Sequence, residues 1–428
     1  MEVVLIIGFA LLFFALVMAS IALHEIGHLV PAKLFGVKVT EYFVGFGKKM
    51  WSTRRGETEY GIKWLPFGGY VRLVGMYPPA KDDGKKRSWL TRLADDARAY
   101  EWDEIRPEDD GRLLYQQKTW KKIVVMLGGP MMNILLAFAI FLGINLLHGT
   151  YQPNLVVAHV SECVIRADRE DRTCSADDPP TPAVEAGIQV GDEILSFNGT
   201  ELHSWDQMSA LIRDNRDGEA SVIVLRDGER VELPTVYTRL NYVADNLDPT
   251  RFVEAGFFGV SPTQELVKAG PVGTAQQMWQ MTKQSVVALS SFPVRIYNVA
   301  EDLVLGNPRD LNSPISIVGA SRVAGEIGVT DQLEVPERVA SWFSLLGSVN
   351  LFVALLNLVP LLPLDGGHIA GAVYEWFKRR IFRLFGRPDP GHVDTAKGLP
   401  VVYVVGGFLL LGGLVLIIAD VVAPISLL

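Results

Sequence analysis

The chain has 428 residues, 49% of them hydrophobic and 21% charged, with a formal net charge of −8 and a mean hydropathy of +0.22. That mixture fits a membrane protein carrying soluble parts, in several domains, and its acidic balance gives no footing for nucleic-acid binding.

Four stretches are long and apolar enough to span a bilayer, at about 3–34, 122–147, 341–376 and 398–424. The first carries no charge from Val3 to Leu23 and lacks the basic start and short apolar run of a cleavable signal peptide, so it reads as a span. Its inner end holds an HExxH pattern, His24-Glu-Ile-Gly-His28. Histidines four apart project from one helix face. Two neutral imidazoles at that spacing suit Zn²⁺, and Glu25 beside them suits a general base acting on a metal-activated water. A surface helix with chance histidines is the plain alternative. Polar groups inside a span are costly, which favours the metal site.

Residues 37–76 follow, rich in β-branched and aromatic residues, with a hairpin turn expected around Arg55-Gly56. Leu65–Val71 is too apolar for an ordinary exposed hairpin and is expected to dip into the membrane beside the site. Residues 80–116 are dense in charges of both signs and read as a solvated connector without chemistry. Beyond the second span, residues 181–199 imply a compact αβ unit. It continues through a helix near 204–214 and strands around 220–235 with an Asp227-Gly228 turn. Residues 265–305 look helical, lying on the membrane surface or packed on the soluble unit. The third span is interrupted by Pro360 and Pro363. The fourth carries Gly406-Gly407 and Gly412-Gly413, which allow close helix packing or are ordinary membrane glycines.

Lys and Arg flank spans one to two (Lys33, Lys38, Lys48, Lys49, Lys118, Lys121, Lys122) and three to four (Lys378, Arg379, Arg380, Arg383, Arg387, Lys397). The loops after spans one and three are therefore expected in the cytoplasm, with both termini and residues 148–340 outside. Both cysteines, Cys163 and Cys174, fall in that outside segment, where an oxidising compartment permits a disulfide between them. Two unrelated thiols are the alternative.

A catalytic zinc usually takes three protein ligands. Asp365, in Asn357-Leu-Val-Pro-Leu-Leu-Pro-Leu-Asp-Gly-Gly-His368, stands out as the third. Counted from Val3 and Ser341, His24 and Asp365 lie 21 and 24 residues along their spans. Both therefore sit roughly 30 Å in on near-ideal helices, at one depth. His368 is the rival ligand, ranked second because a carboxylate in hydrocarbon demands a cation more urgently. Asn357 is placed to donate to an oxyanion or to substrate backbone, or to make an interhelical hydrogen bond.

Together these residues resemble the site-2 proteases, intramembrane zinc metalloproteases of regulated intramembrane proteolysis. HEIGH, GFG and FGGYV, GGPMMN and NLVPLLPLDGG occur in that family's order across nearly the whole chain, and STRRGETEYG, SPISIVGAS and the outside cysteine pair look like its actinobacterial branch. The resemblance implies a polytopic α-helical membrane protein with four transmembrane helices, a catalytic core in helices 1–3, a re-entrant β element and an α+β PDZ-like extracytoplasmic domain. Its parts would be 1–35 (helix 1), 36–78 (β element), 79–120 (connector), 121–148 (helix 2), 150–262 (PDZ-like), 263–338 (extracytoplasmic helical or PDZ C-terminal region), 339–378 (helix 3), 379–397 (loop) and 398–425 (helix 4). Zn²⁺ would be bound by His24, His28 and Asp365, with Glu25 catalytic and Asn357, Gly68, Gly69 and Tyr70 on the substrate. Single-span proteins such as anti-sigma factors, already cut by another protease, are the substrates it implies. The bacterial cytoplasmic membrane is the location, and the PDZ-like unit, with Phe257-Phe-Gly-Val260 as its closing strand, is a sieve or a peptide binder. A metal transporter and a silent PDZ scaffold are the rival readings. The first lacks an internal repeat, and the second has no need of Glu25 and Asp365.

Overall fold

The computed structural model describes residues 2–79, 105–169, 171, 173–248, 251–310 and 312–425. These fall into two units, one of residues 1–143 with 275–428 and one of residues 144–274.

In the first unit, helix α1 runs from Glu2 to Leu34, and its apolar side chains cover every face, as a span requires. It stops at Gly36, whose φ of +77° is open to glycine. There the Val37 N–H closes back on the Ala32 carbonyl oxygen and the Gly36 N–H on that of Lys33, satisfying carbonyls the helix end would orphan. Strands β1 (Val39–Arg55) and β2 (Thr58–Leu73) form the expected hairpin, turning through Gly56. The hairpin doubles back on itself. Residues 41–44 pair with 69–72 on one side and with 59–62 on the other, and 51–55 pair with 58–62. The far edge of 69–72 has no strand partner among the described residues.

Most of the expected connector lies outside the described residues. Its last part, 105–118, is packed rather than solvated. The Val74 carbonyl oxygen accepts from Leu114, and the Lys38 N–H donates to Arg112. The buried Asp109 carboxylate pairs with Lys38 at 2.7 Å and accepts the Arg106 N–H. Burial alone would raise the Asp109 carboxyl, but Lys38 and that N–H outweigh it and hold it below the usual carboxylate range.

Helix α2 (Thr119–Leu147) is the second span. The third differs from expectation. Helix α7 (Val335–Asn357) ends at Asn357, the chain turns through 358–364, and a separate amphipathic helix, α8 (Asp365–Leu384), begins at Asp365. The expected 341–376 stretch and the 339–378 boundary thus merge two helices. The reason is local: Pro360 and Pro363 cannot donate to a helix, and Gly366 and Gly367 let α8 start hard against the 358–362 turn, Gly367 so close that a methyl group would lie 2.6 Å from the Leu362 nitrogen. Helix α9 (Leu399–Val422) is the fourth span, which a short 3₁₀ turn extends back to Thr395.

Two helices of the 263–338 region pack against the spans. Helix α6 (Ile317–Val329) packs on the N-terminal half of α1 and on α7, in a cluster of Phe13, Val17, Ala320, Ala324, Trp342 and Leu346. Helix α5 (Pro271–Leu305) buries Val299 against Leu416 and Ala419 of α9. Arg309 and Asp420, each 2% exposed, pair at 2.8 Å and join the α5–α6 loop to the end of α9.

The unit of residues 144–274 is α+β. Its main antiparallel sheet has the order β12-β3-β4-β7-β8, with β5 beside β4. These are Val260–Val267, Thr150–Val160, Glu193–Phe197, Val222–Arg226, Glu229–Glu232 and Thr200–Glu201 respectively. Asn198-Gly199 and Asp227-Gly228 take positive φ at both turn positions, which matches the twist of tight hairpins. Helix α4 (Trp205–Asn215) is capped by the Ser204 hydroxyl oxygen, which accepts from the Gln207 N–H, and it buries Met208 against Ile194, Phe197, Val222 and Val224. Cys163 and Cys174 form the expected disulfide, with Cα atoms 5.9 Å apart.

Two details differ from expectation. The closing strand begins at Val260 rather than Phe257 and runs to Val267, where it pairs with Thr150, so the unit extends beyond residue 262. A further hairpin, β10 (Arg239–Ala244) with β11 (Phe252–Phe257), precedes it.

Candidate metal centre

Two elements of the first unit bring three donors together. His24 and His28 project from one face of α1, one turn apart, and Asp365 is the first residue of α8. Asp365 Oδ2 lies 3.4 Å from His24 Nε2 and 3.3 Å from His28 Nε2, and the two Nε2 atoms are 3.2 Å apart. Ligand atoms around a tetrahedral zinc, with bonds of about 2.0–2.1 Å, stand roughly 3.3 Å from one another. The donor set of two imidazoles and one carboxylate and its spacing both fit that ion. Among the described residues these three are the group with metal-ligand spacing, and His368 is not part of it.

The surroundings set the donors. His28 Nδ1 lies 2.8 Å from the Val125 carbonyl oxygen of α2. A carbonyl can only accept, so Nδ1 carries the proton and Nε2 keeps its lone pair for a cation. The α1–α2 contact is close because Gly27 faces Gly128, and a methyl group on either would overlap the other's carbonyl oxygen. The next residue, Gly129, faces both Nε2 atoms.

A cavity of about 430 Å³ opens on the donors. Glu25, Asn357 and His368 line it, as do Gly68, Gly69, Tyr70 and Val71 at the unpaired edge of β2. Gly69 abuts Glu25: a methyl group there would stand 3.2 Å from Glu25 Cγ. Asn357 Nδ2 is 3.5 Å from His24 Nε2. The Tyr70 hydroxyl is already engaged, accepting from Lys63 at 2.6 Å and donating to Glu41.

So Glu25, His24, His28, Asp365, Asn357, Gly68, Gly69 and Tyr70 all meet at one cavity, and the Cys163–Cys174 pair lies apart from it in the other unit. Sequence reasoning missed the Val125 carbonyl and Gly129. The Gly128-Gly129-Pro130 run in the middle of a span was the available signal for the second, since adjacent glycines there invite a backbone-close neighbour.

The model of peptidase family M50 matches residues 12–386. This chain belongs to peptidase family M50. It is 34% identical to zinc metalloprotease Rip1 of Mycolicibacterium smegmatis, over 98% of this chain and 99% of the relative. It is 33% identical to Rip1 of Mycobacterium tuberculosis, over 97% and 98%, and 30% identical to a putative zinc metalloprotease of Clostridium perfringens, over 97% and 98%. This M50 member is therefore a zinc metalloprotease with Zn²⁺ as its cofactor, and a membrane protein with four helices long and apolar enough to span.

Proposed function

We propose that this M50 member is an intramembrane endopeptidase that hydrolyses a peptide bond within the membrane segment of single-span proteins. The observation that carries the reading is the position of the donor triad. His24 and His28 lie toward the C-terminal end of the apolar α1, Asp365 starts α8 a short turn beyond the end of the apolar α7, and their cavity is shared with Glu25 and with a strand edge unpaired among the described residues.

His24, His28 and Asp365 would hold the zinc, which supplies a Lewis acid for the scissile carbonyl and a more acidic water. Glu25 takes the proton of the attacking water and returns it to the leaving amine. A membrane helix hides its carbonyls in its own hydrogen bonds, so it must unwind before attack. The free edge at 69–72 would hold it extended by strand addition, with Gly68 and Gly69 giving close approach and Tyr70 lining the groove. Asn357 donates to the oxygen on which charge develops.

The membrane is read as a bacterial cytoplasmic membrane, with both termini and the 144–274 unit outside, from the distribution of Lys and Arg. The unit's Ala183–Asp192 turn, tight hairpins and capped α4 support a PDZ-like reading, as a sieve against bulky ectodomains or as a peptide site. Substrates are read as regulators such as anti-sigma factors, shortened first by another protease.

The test incubates the purified chain with tagged single-span helices, beside a Glu25→Gln variant of matched zinc content. Cleavage by the parent alone supports the reading. Equal cleavage by both would remove Glu25 from the chemistry, and none by either, across a panel including trimmed anti-sigma factors, would end the substrate reading.

A further inference from the structure

A second cavity, of about 600 Å³, lies between the first turn of α2 and one face of α8, in the same unit as the metal centre. On α8 its walls are Val373, Trp376, Phe377, Arg379, Arg380 and Arg383, residues at helical spacing that form one stripe. From α2 come Thr119, Trp120 and Ile123, and Lys118 precedes them. The groove thus has two chemical ends. Val373 and Ile123 give it apolar surface, while Lys118, Arg379, Arg380 and Arg383 give it four cations.

Lys118, Arg380 and Arg383 have no ion pair within the described residues. Arg379, one residue from Arg380, is by contrast held by Glu375 at 3.6 Å and by His392 at 3.2 Å. Three cations without a partner among the described residues, sharing one groove, call for an anion. The first turn of α2 adds the positive end of a helix dipole. The place names the kind of anion. Lys118 immediately precedes a membrane span, where headgroups lie. Trp120 and Trp376 are 54% and 49% exposed at that level, as amphipathic rings at a membrane boundary are.

We propose that this groove is a binding site for an anionic phospholipid. Lys118, Arg380 and Arg383 hold its phosphate, Trp120 and Trp376 flank its glycerol region, and its acyl chains lie over Ile123 and Val373. The lipid bridges α2 and α8, and α8 begins at Asp365, so it braces the helix that supplies the carboxylate of the metal centre.

The test needs no substrate. The full chain is placed in nanodiscs of equal phosphatidylglycerol and phosphatidylcholine, extracted, and its retained lipids counted by native mass spectrometry. The parent should retain phosphatidylglycerol over phosphatidylcholine by at least about tenfold. A Lys118→Gln, Arg380→Gln, Arg383→Gln variant should lose that preference. A Lys378→Gln, Arg387→Gln, Lys397→Gln variant removes as many charges nearby, outside the groove, and should keep it. Excess inorganic phosphate should not displace the lipid. Retention by the groove variant, equal loss in the neighbouring variant, or displacement by phosphate would each overturn the proposal. The last would mark a site for a free anion instead.

Discussion

Gly129 of α2 stands against the metal-facing nitrogens of α1: a methyl group on it would overlap His28 Nε2 and lie 2.6 Å from His24 Nε2. The space the imidazoles need for a cation is therefore space that only a glycine leaves. Gly129→Ala should lower zinc affinity roughly 10- to 100-fold, the range for disturbing a ligand's support. Gly143→Ala on the same helix, where a methyl group meets nothing within 4 Å, should leave it unchanged. Zinc content after dialysis against a graded chelator checks this. Equal retention by both variants would show that the close approach is not what keeps the donors apart.

Asn357 offers a sharper distinction between two roles. If its amide donates to the developing oxyanion, Asn357→Ala should lower kcat by about 10²- to 10³-fold at unchanged zinc content. If it only ties α7 to His24, which it approaches at 3.5 Å, zinc retention should fall with activity. Zinc content and kcat measured on the same preparation separate the two.

The pair Arg309–Asp420 is almost wholly buried, and Asp420 also accepts the Ser316 N–H at 2.7 Å. Removing one partner strands the other's charge. Arg309→Gln or Asp420→Asn alone should cost about 3–5 kcal/mol. The double variant should cost less than the sum of the two, because no bare charge remains. Thermal unfolding in one detergent measures the cycle, and strict additivity would mean that the two charges do not act as a pair.

In the 144–274 unit, Asp192 is 2% exposed and takes two hydrogen bonds from Arg226, at 2.8 and 2.7 Å, and one from the Gln189 N–H. Burial pushes its carboxyl up, but those donors outweigh burial and hold it below the usual carboxylate range. A carboxyl depressed on folding contributes stability that is complete above its unfolded pKa, about 3.9. That stability is lost as pH falls through the lower, folded value. Amide exchange across residues 144–274 of the full chain should therefore speed up as pH drops below about 4, after correction for intrinsic rates. Arg226→Met should cost about 3 kcal/mol at neutral pH and remove most of that acid dependence. An unchanged acid profile in the variant would assign the dependence to other carboxyls.

How legible the molecule was in its sequence varied with the kind of signal. Spans one, two and four and the hairpin turns at Gly56, Asn198-Gly199 and Asp227-Gly228 were legible because each is written in consecutive residues. The candidate donor triad was legible because HExxH sets two imidazoles on one helix face and a carboxylate in an apolar stretch is conspicuous. The third span was misread in extent. Hydropathy runs smoothly through 358–364, while the backbone, denied donors at Pro360 and Pro363, starts a new helix at Asp365. The packing of α6 among the spans was invisible for another reason. Its match to α1 depends on residues some 300 positions apart, such as Gly325 against Ile6, which no local period records. The contact of Gly129 with the histidines is of the same long-range kind.

The position of the cut tests the central claim most directly. A single-span protein cleaved by the parent, with Glu25→Gln as the blank, is sequenced at its new termini by mass spectrometry. A scissile bond within the apolar segment, at the depth of His24 and toward its inner end, is the result expected of an intramembrane zinc endopeptidase with this geometry. A bond cut only in the polar flanks, or cut equally by the Glu25→Gln variant, would contradict it.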